Sequence, residues 1–331
     1  MKGKSIKIKC EKPYGVIVAK ESRNYAQYMF SGAQKALIVS DETVFRLYGN
    51  GLKKLVRNSG AEVFTFIYPA GENGKTKHVL DKLFILMTEL NLTTNDCLIA
   101  FGGEGVASLT SFACSVFRGG IPFVYIPTTI MGMINPLNDG NASVDFLGKR
   151  DLLKTKNYPI AVICDPDYLI SLPAPYKQDG YAEIIRRAMI GNKALIEKMI
   201  AEDVLDEEMI LSAIKVGLGL KRNAKSRFAL NFASSAEKVT GLKVSYGKLV
   251  AFGMIKAIET AMALGLNTET EEPMLKLLEK FGISRDIGVH DRDLWNAILS
   301  NGAKKYTFVL PKATGDCKVV KLSEEKIKET F

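Results

Sequence analysis

Continuous apolar runs alternate with helix-period stretches through the first half of the chain. Ala36-Leu37-Ile38-Val39 precedes an amphipathic stretch over 43–57, Val63-Phe64-Thr65-Phe66-Ile67 precedes one near 74–90, and Cys97-Leu98-Ile99-Ala100-Phe101 precedes one near 106–117; Phe123-Val124-Tyr125-Ile126 then leads into Pro127-Thr128-Thr129. Strands apolar on both faces with helices between them predict a parallel sheet covered on both sides. Past Cys164-Asp165-Pro166-Asp167 the pattern changes to long helical stretches over 181–198, 207–220, 249–264 and 272–280. The expected fold is α/β, with a parallel-sheet domain over 1–165 and a mainly α-helical domain over 166–331. No internal repeat or low-complexity linker separates the halves, so a ligand cleft between them is expected.

At 331 residues, 47% hydrophobic and 24% charged, the chain is long enough for two domains with their own cores. Its apolar runs are too short to span a bilayer, and Met1-Lys2-Gly3-Lys4-Ser5 does not lead into a signal-peptide core, so a cytoplasmic protein with no membrane partner is expected. The formal charge of +9 comes from lysines and arginines spread along the chain, not clustered with aromatics, which points away from nucleic acid and toward a small anion. The cysteines, Cys10, Cys97, Cys114, Cys164 and Cys317, are odd in number and scattered, as structural thiols of a reducing compartment are. Only His78 and His290 are present, which excludes chemistry needing a histidine cluster.

Gly102-Gly103-Glu104-Gly105 sits between an apolar strand and a helix. Glycines there let backbone N–H groups approach a pyrophosphate, and the helix N-terminus adds partial positive charge, so this is the layout of a nucleotide site. Around it, Pro69-Ala70-Gly71-Glu72 with Lys75, Gly102-Gly103, Pro127-Thr128-Thr129 and Leu147-Gly148-Lys149 follow in order. The series continues through Asp165-Pro166-Asp167-Tyr168-Leu169-Ile170-Ser171-Leu172-Pro173, Gly180-Tyr181-Ala182-Glu183-Ile184-Ile185, Arg227 with Leu230-Asn231-Phe232, and Gly247-Lys248-Leu249-Val250-Ala251-Phe252-Gly253-Met254. In these motifs the chain resembles the 3-dehydroquinate synthase family of sugar-phosphate cyclases over nearly its whole length.

The resemblance implies a Rossmann-like NAD-binding domain, a helical substrate and metal-type domain, an active site between them, and a homodimer. In that family zinc and a transiently reduced NAD convert a phosphorylated seven-carbon keto acid into a cyclic product with loss of phosphate. Carried over residue by residue, the cofactor contacts are Asp41, Glu72, Lys75, Gly102, Gly103, Thr128 and Thr129. Arg118, Lys149, Arg227, Asn231 and Lys304 fall at family anion-binding or catalytic positions, and Lys215 matches another.

Departures from the family pattern are concentrated on the metal side. Of the zinc ligands only the glutamate remains, as Glu183; the segment expected to hold Gly-His-Thr-x-Gly-His reads Ala233-Ser234-Ser235-Ala236-Glu237-Lys238, and the last ligand is Tyr246. Hydroxyls are poor zinc partners, so no zinc site is expected. Lys238 would place an ammonium near the vacated ion. Elsewhere a family aspartate is Ser108, another is Asn135, a lysine is Asn141, an asparagine is Arg150, and the lysine one turn beyond Glu183 is Arg186. Glu104 adds a carboxylate to the glycine turn; pointing inward it would repel pyrophosphate, and the outward, solvated orientation is the one expected.

Three readings stay open. The chain is an altered, metal-independent enzyme acting on a polyol or sugar phosphate, with Lys149, Lys238 or Tyr246 as proton donors. Or it is a catalytically silent relative that binds NAD or an anion for a regulatory or scaffolding role. Or it is a functional 3-dehydroquinate synthase with other ligands, for which His78 and His290 are poor candidates.

Overall fold

The computed structural model describes residues 4–331 except 31, 71, 138–139, 221–222, 242, 267–268 and 301, and divides the chain into two compact units, one ending at Leu172 and one running from Pro173 to Phe331. The division falls beyond residue 165 because the turn at Pro166–Leu169 packs back on the first unit. The Tyr168 ring meets Phe101 edge-on at 5.4 Å, and Asp165 accepts from the Arg23 guanidinium at 2.8 Å.

In the first unit, β1 (Lys4–Ile8), β2 (Tyr14–Val18), β3 (Lys35–Asp41), β4 (Glu62–Tyr68), β5 (Cys97–Gly102), β6 (Phe123–Pro127) and β9 (Ala161–Cys164) form one sheet in the order β1-β2-β9-β6-β5-β3-β4. Only the β1–β2 pair is antiparallel. Every residue of β5 and β6 is buried, as strands covered on both faces require. From β3 the chain steps outward to β4, and from β5 in the opposite direction to β6, so the strand order reverses between β3 and β5. Ligands of open α/β sheets bind at the carboxyl ends of the strands at such a reversal. Ser40 pairs with Phe101 and Gly102 with Pro127, which brings Asp41, Gly102-Gly103 and Thr128-Thr129 to the same edge. The remaining strands of this unit, β7 (Asn141–Phe146) and β8 (Lys149–Lys156), form a separate antiparallel hairpin. Ser108 fastens it: its hydroxyl donates to the Ser143 carbonyl at 3.0 Å and accepts from the Ser143 amide at 2.8 Å.

The second unit is mainly helical, with helices at Ala174–Gly191, Lys193–Ala201, Glu207–Gly219, Leu230–Thr240, Tyr246–Ala263, Glu271–Lys280, Asp291–Leu299 and Glu324–Thr330, and one antiparallel hairpin of β10 (Lys305–Ala313) and β11 (Asp316–Ser323). The stretch read as one helix over 181–198 is broken at Asn192, whose side chain caps the next helix by accepting from the Leu195 amide at 3.0 Å. Ala174–Gly191 is buried from Ala182 through Ile190, and this buried half carries the polar residues Glu183, Arg186 and Arg187. Cys97, Cys114, Cys164 and Cys317 are buried thiols, and burial pushes Cys97 up to about 12. No helix among the described residues is long and apolar enough to cross a membrane.

Candidate functional site

At the sheet edge of the first unit, Gly102 ends β5 and Gly103 is the N-cap of the helix Glu104–Val116. Gly102 is closed to a side chain, since a Cβ there would lie 2.6 Å from Val106 Cγ2, and Gly103 is crowded, with a Cβ 3.2 Å from Thr129 Cγ2. Thr129 caps the helix Ile130–Ile134 by accepting from the Gly132 amide at 3.1 Å, and the Thr128 amide donates to the Gly102 carbonyl at 3.1 Å. Asp41 uses one oxygen to accept from the Val44 amide at 2.9 Å; its other oxygen lies 3.4 Å from the Gly102 Cβ position. The Thr128 hydroxyl is buried with no hydrogen-bond partner. A backbone cradle at a helix N-terminus with an orphaned hydroxyl beside it fits a bound pyrophosphate and ribose.

Glu104 is exposed, as expected of an outward-pointing charge, and is also hydrogen-bonded. Its Oε1 accepts from Asn135 Nδ2 at 3.1 Å, and after burial its charge is the next cause that pushes the buried Tyr125 hydroxyl well up. The two family departures at 104 and 135 are therefore one hydrogen-bonded pair.

Of the remaining cofactor candidates, Glu72 opens a short turn, Glu72–Lys75; its side chain, like Gly71, lies outside the described residues. The Lys75 ammonium is held by the hairpin: it pairs with Asp151, lies 3.5 Å from Asp145, and donates to the Ser143 hydroxyl at 3.4 Å. Burial pushes the Asp151 carboxyl up, but Lys75 and Ser143 outweigh it and hold it below the usual range. Lys149 and Arg150 line an open cavity of about 400 Å³ together with Lys77, His78 and Asp145. Arg118 stands in the turn Phe117–Gly119 at the far end of the helix that Gly103 caps, ~20 Å from the glycine turn at 1.5 Å per residue, and is not brought to it.

In the second unit, Glu183 is 3% exposed and both of its oxygens are taken. Oε1 accepts from Arg186 Nη2 at 2.8 Å and from Arg187 Nε at 2.7 Å; Oε2 accepts from Arg186 Nε at 2.8 Å and from the Tyr246 hydroxyl at 2.8 Å. Helical spacing explains the arrangement, since i+3 and i+4 both face residue 183. Arg186 also donates to the Ser226 carbonyl at 2.6 Å, while Arg187 Nη1 fits only because residue 217 is glycine: a Cβ there would lie 2.6 Å from it. One turn earlier on the same helix, Asp179 accepts from the Gly247 amide at 2.6 Å, so two carboxylates anchor the start of Tyr246–Ala263. Burial pushes the Glu183 carboxyl up, but the guanidiniums overwhelm that and hold it at about 2; burial and then the Glu183 charge push the Tyr246 phenol well up, so it remains a neutral donor.

This donor set does not fit a metal ion. The one carboxylate has no free lone pair directed outward, its neighbours are cations, and no group of three or more His, Cys, Asp and Glu that could hold a metal occurs among the described residues. Sequence reasoning singled out Glu183, Arg186 and Tyr246 but missed Arg187, whose signal was its i+4 spacing, and Asp179. The other candidates are more scattered. Arg227 Nε donates to Asn231 Oδ1 at 3.1 Å, and the Asn231 amide donates to the Thr307 carbonyl. Lys215, Ser234, Lys238 and Lys304 are exposed.

Comparison with known proteins places these features in a lineage. Residues 65–178 match the 3-dehydroquinate synthase N-terminal family. The 3-dehydroquinate synthase of a Nitratiruptor species is 31% identical over 320 residues, covering 89% of this chain and 91% of the relative. The chain belongs to the 3-dehydroquinate synthase family. A second member, from Rippkaea orientalis, is 30% identical over 307 residues, covering 85% and 84%. Among solved structures, 2-epi-5-epi-valiolone synthase from Streptomyces hygroscopicus subsp. jinggangensis 5008, with NAD+ and Zn2+ bound, superposes with a TM-score of 0.82 at 22% identity over 98% of this chain and 97% of that one. A 2-deoxy-scyllo-inosose synthase complexed with carbaglucose-6-phosphate, NAD+ and Co2+ gives 0.81 at 16% identity over 99% and 98%. Both share the two-part α/β fold.

Proposed function

We propose that this member of the 3-dehydroquinate synthase family binds NAD and a small anion, such as a sugar phosphate, without zinc chemistry, as a cytoplasmic homodimer. The observation that carries the reading is the saturation of Glu183 by Arg186, Arg187 and Tyr246. A metal bound there would first have to displace buried guanidiniums, leaving them without a countercharge.

NAD is supported by the glycine turn, the orphaned Thr128 hydroxyl, and Asp41 at the strand reversal; Gly102, Gly103, Thr128, Thr129 and Asp41 would hold it. When bound, NAD supplies a hydride acceptor for an alcohol carbon. Lys149 and Arg150, at the open cavity of the first unit, offer charge to phosphate or carboxylate. Lys149, exposed at the cavity, is the side chain best placed to move a proton, whereas Tyr246 and Glu183 are occupied by each other. Whether the bound anion reacts separates a redirected enzyme from a silent binder.

The test is calorimetric titration of the purified protein with NAD, with elemental analysis of the same sample. Saturable NAD binding without stoichiometric metal supports the reading; stoichiometric zinc, or phosphate release from the family substrate that stops on adding EDTA, overturns it. The latter outcome belongs to the second reading, a metal-dependent synthase, favoured by 31% identity to a 3-dehydroquinate synthase along 91% of its length. If the protein is catalytic, Lys149→Ala should lower turnover at least tenfold; unchanged activity removes Lys149 from the mechanism.

A further inference from the structure

We propose that Glu104, held in place by Asn135, sets the affinity of the nucleotide site by opposing the pyrophosphate, so that NAD exchanges freely and is not retained as a resident group. The inference rests on the NAD-binding reading.

Glu104 is the first residue of a 13-residue helix whose N-cap is Gly103, the position where backbone N–H groups gather partial positive charge. A carboxylate in that turn competes for the same positive end that a diphosphate would use. The site itself is marked by a second feature, the Thr128 hydroxyl, buried and without a partner on the segment whose amide bonds to Gly102. Left alone, an exposed glutamate would swing into water and matter little. Here its Oε1 is bonded to Asn135 Nδ2 at 3.1 Å. Asn135 ends the helix Ile130–Ile134, which Thr129 caps at its start, so the hydrogen bond ties the first residue of the helix after β5 to the end of the helix after β6 and restrains the charge beside the glycine turn. An asparagine serves this purpose where an aspartate would not, because its amide donates to the carboxylate without cancelling its charge. Asn135 is thus a positioning residue, and Glu104 carries the charge that opposes the ligand.

Titration of the full chain with NAD and, separately, with adenosine tests this. For Glu104→Gln we expect NAD to bind about 5- to 10-fold more tightly at low salt, from the removal of a like charge at the N-terminus of the same helix, with the gain shrinking as salt is raised. Adenosine, which carries no phosphate, should bind both proteins equally. Asn135→Ala should tighten NAD about threefold in the Glu104 protein and leave the Glu104→Gln protein unchanged, because there is then no charge to position. Equal or weaker NAD binding by Glu104→Gln, an equal gain for adenosine, or a gain indifferent to salt overturns the proposal while NAD binding stands. If neither the parent protein nor Glu104→Gln binds NAD, the functional reading falls and the proposal with it.

Discussion

Glu183 places one negative charge between two guanidiniums, and burial makes each partner depend on the others. Glu183→Gln should cost roughly 3–5 kcal/mol, the range for breaking a buried pair from one side, measurable by denaturant unfolding. The pH dependence follows from the depressed carboxyl. Its stabilising contribution is fully present above the ordinary value of 4.5 and is lost as pH falls toward about 2, so the stability gap between parent and Glu183→Gln should narrow across that window by roughly 3 kcal/mol. A gap independent of pH there would show that Glu183 is not the titrating group. Much of this was readable from sequence, since the missing histidines and the surviving glutamate were plain. That Arg186 would turn inward onto Glu183 was not. Its direction is set by the Ser226 and Phe228 carbonyls, which are remote in sequence and visible only when the chain is folded.

Helices of the second unit pack around this cluster, and Gly217 shows how closely. Alanine normally improves a helix over glycine by ~0.5–1 kcal/mol. In Glu207–Gly219, however, the added methyl would press on Arg187 Nη1, which is pinned by Glu183 and by the Ala213 carbonyl at 3.4 Å. Gly217→Ala should therefore lower stability by about 1–2 kcal/mol, whereas Gly51→Ala, in the helix Asn50–Arg57 with nothing within 4 Å, should raise it by up to ~1 kcal/mol. Thermal unfolding of the pair tests the packing argument, and stabilisation by both variants would refute it. At this scale the apolar periodicity yielded the strands β3, β4, β5 and β6 and most helices within a few residues, but not β2 and β9. The hairpins β7–β8 and β10–β11 were missed; Lys149–Lys156 in particular has no buried alternation to read.

At the level of the whole molecule, the proposed saturation of Glu183 by its own arginines predicts that the protein is indifferent to chelation. Exhaustive dialysis against EDTA, or addition of zinc, should leave its melting temperature within a degree; a shift of several degrees would reveal a metal ligand for the native state. Such melting has an unusual internal resolution. The single tryptophan, Trp295, belongs to the second unit, enclosed against Phe232, Phe308 and Phe331, while Cys97, Cys114 and Cys164 are all buried in the first. Indole fluorescence consequently follows the opening of one half of the protein, and three of the thiols that react with an alkylating reagent follow the opening of the other. The chain thus carries separate reporters for its two halves, with no label to be introduced.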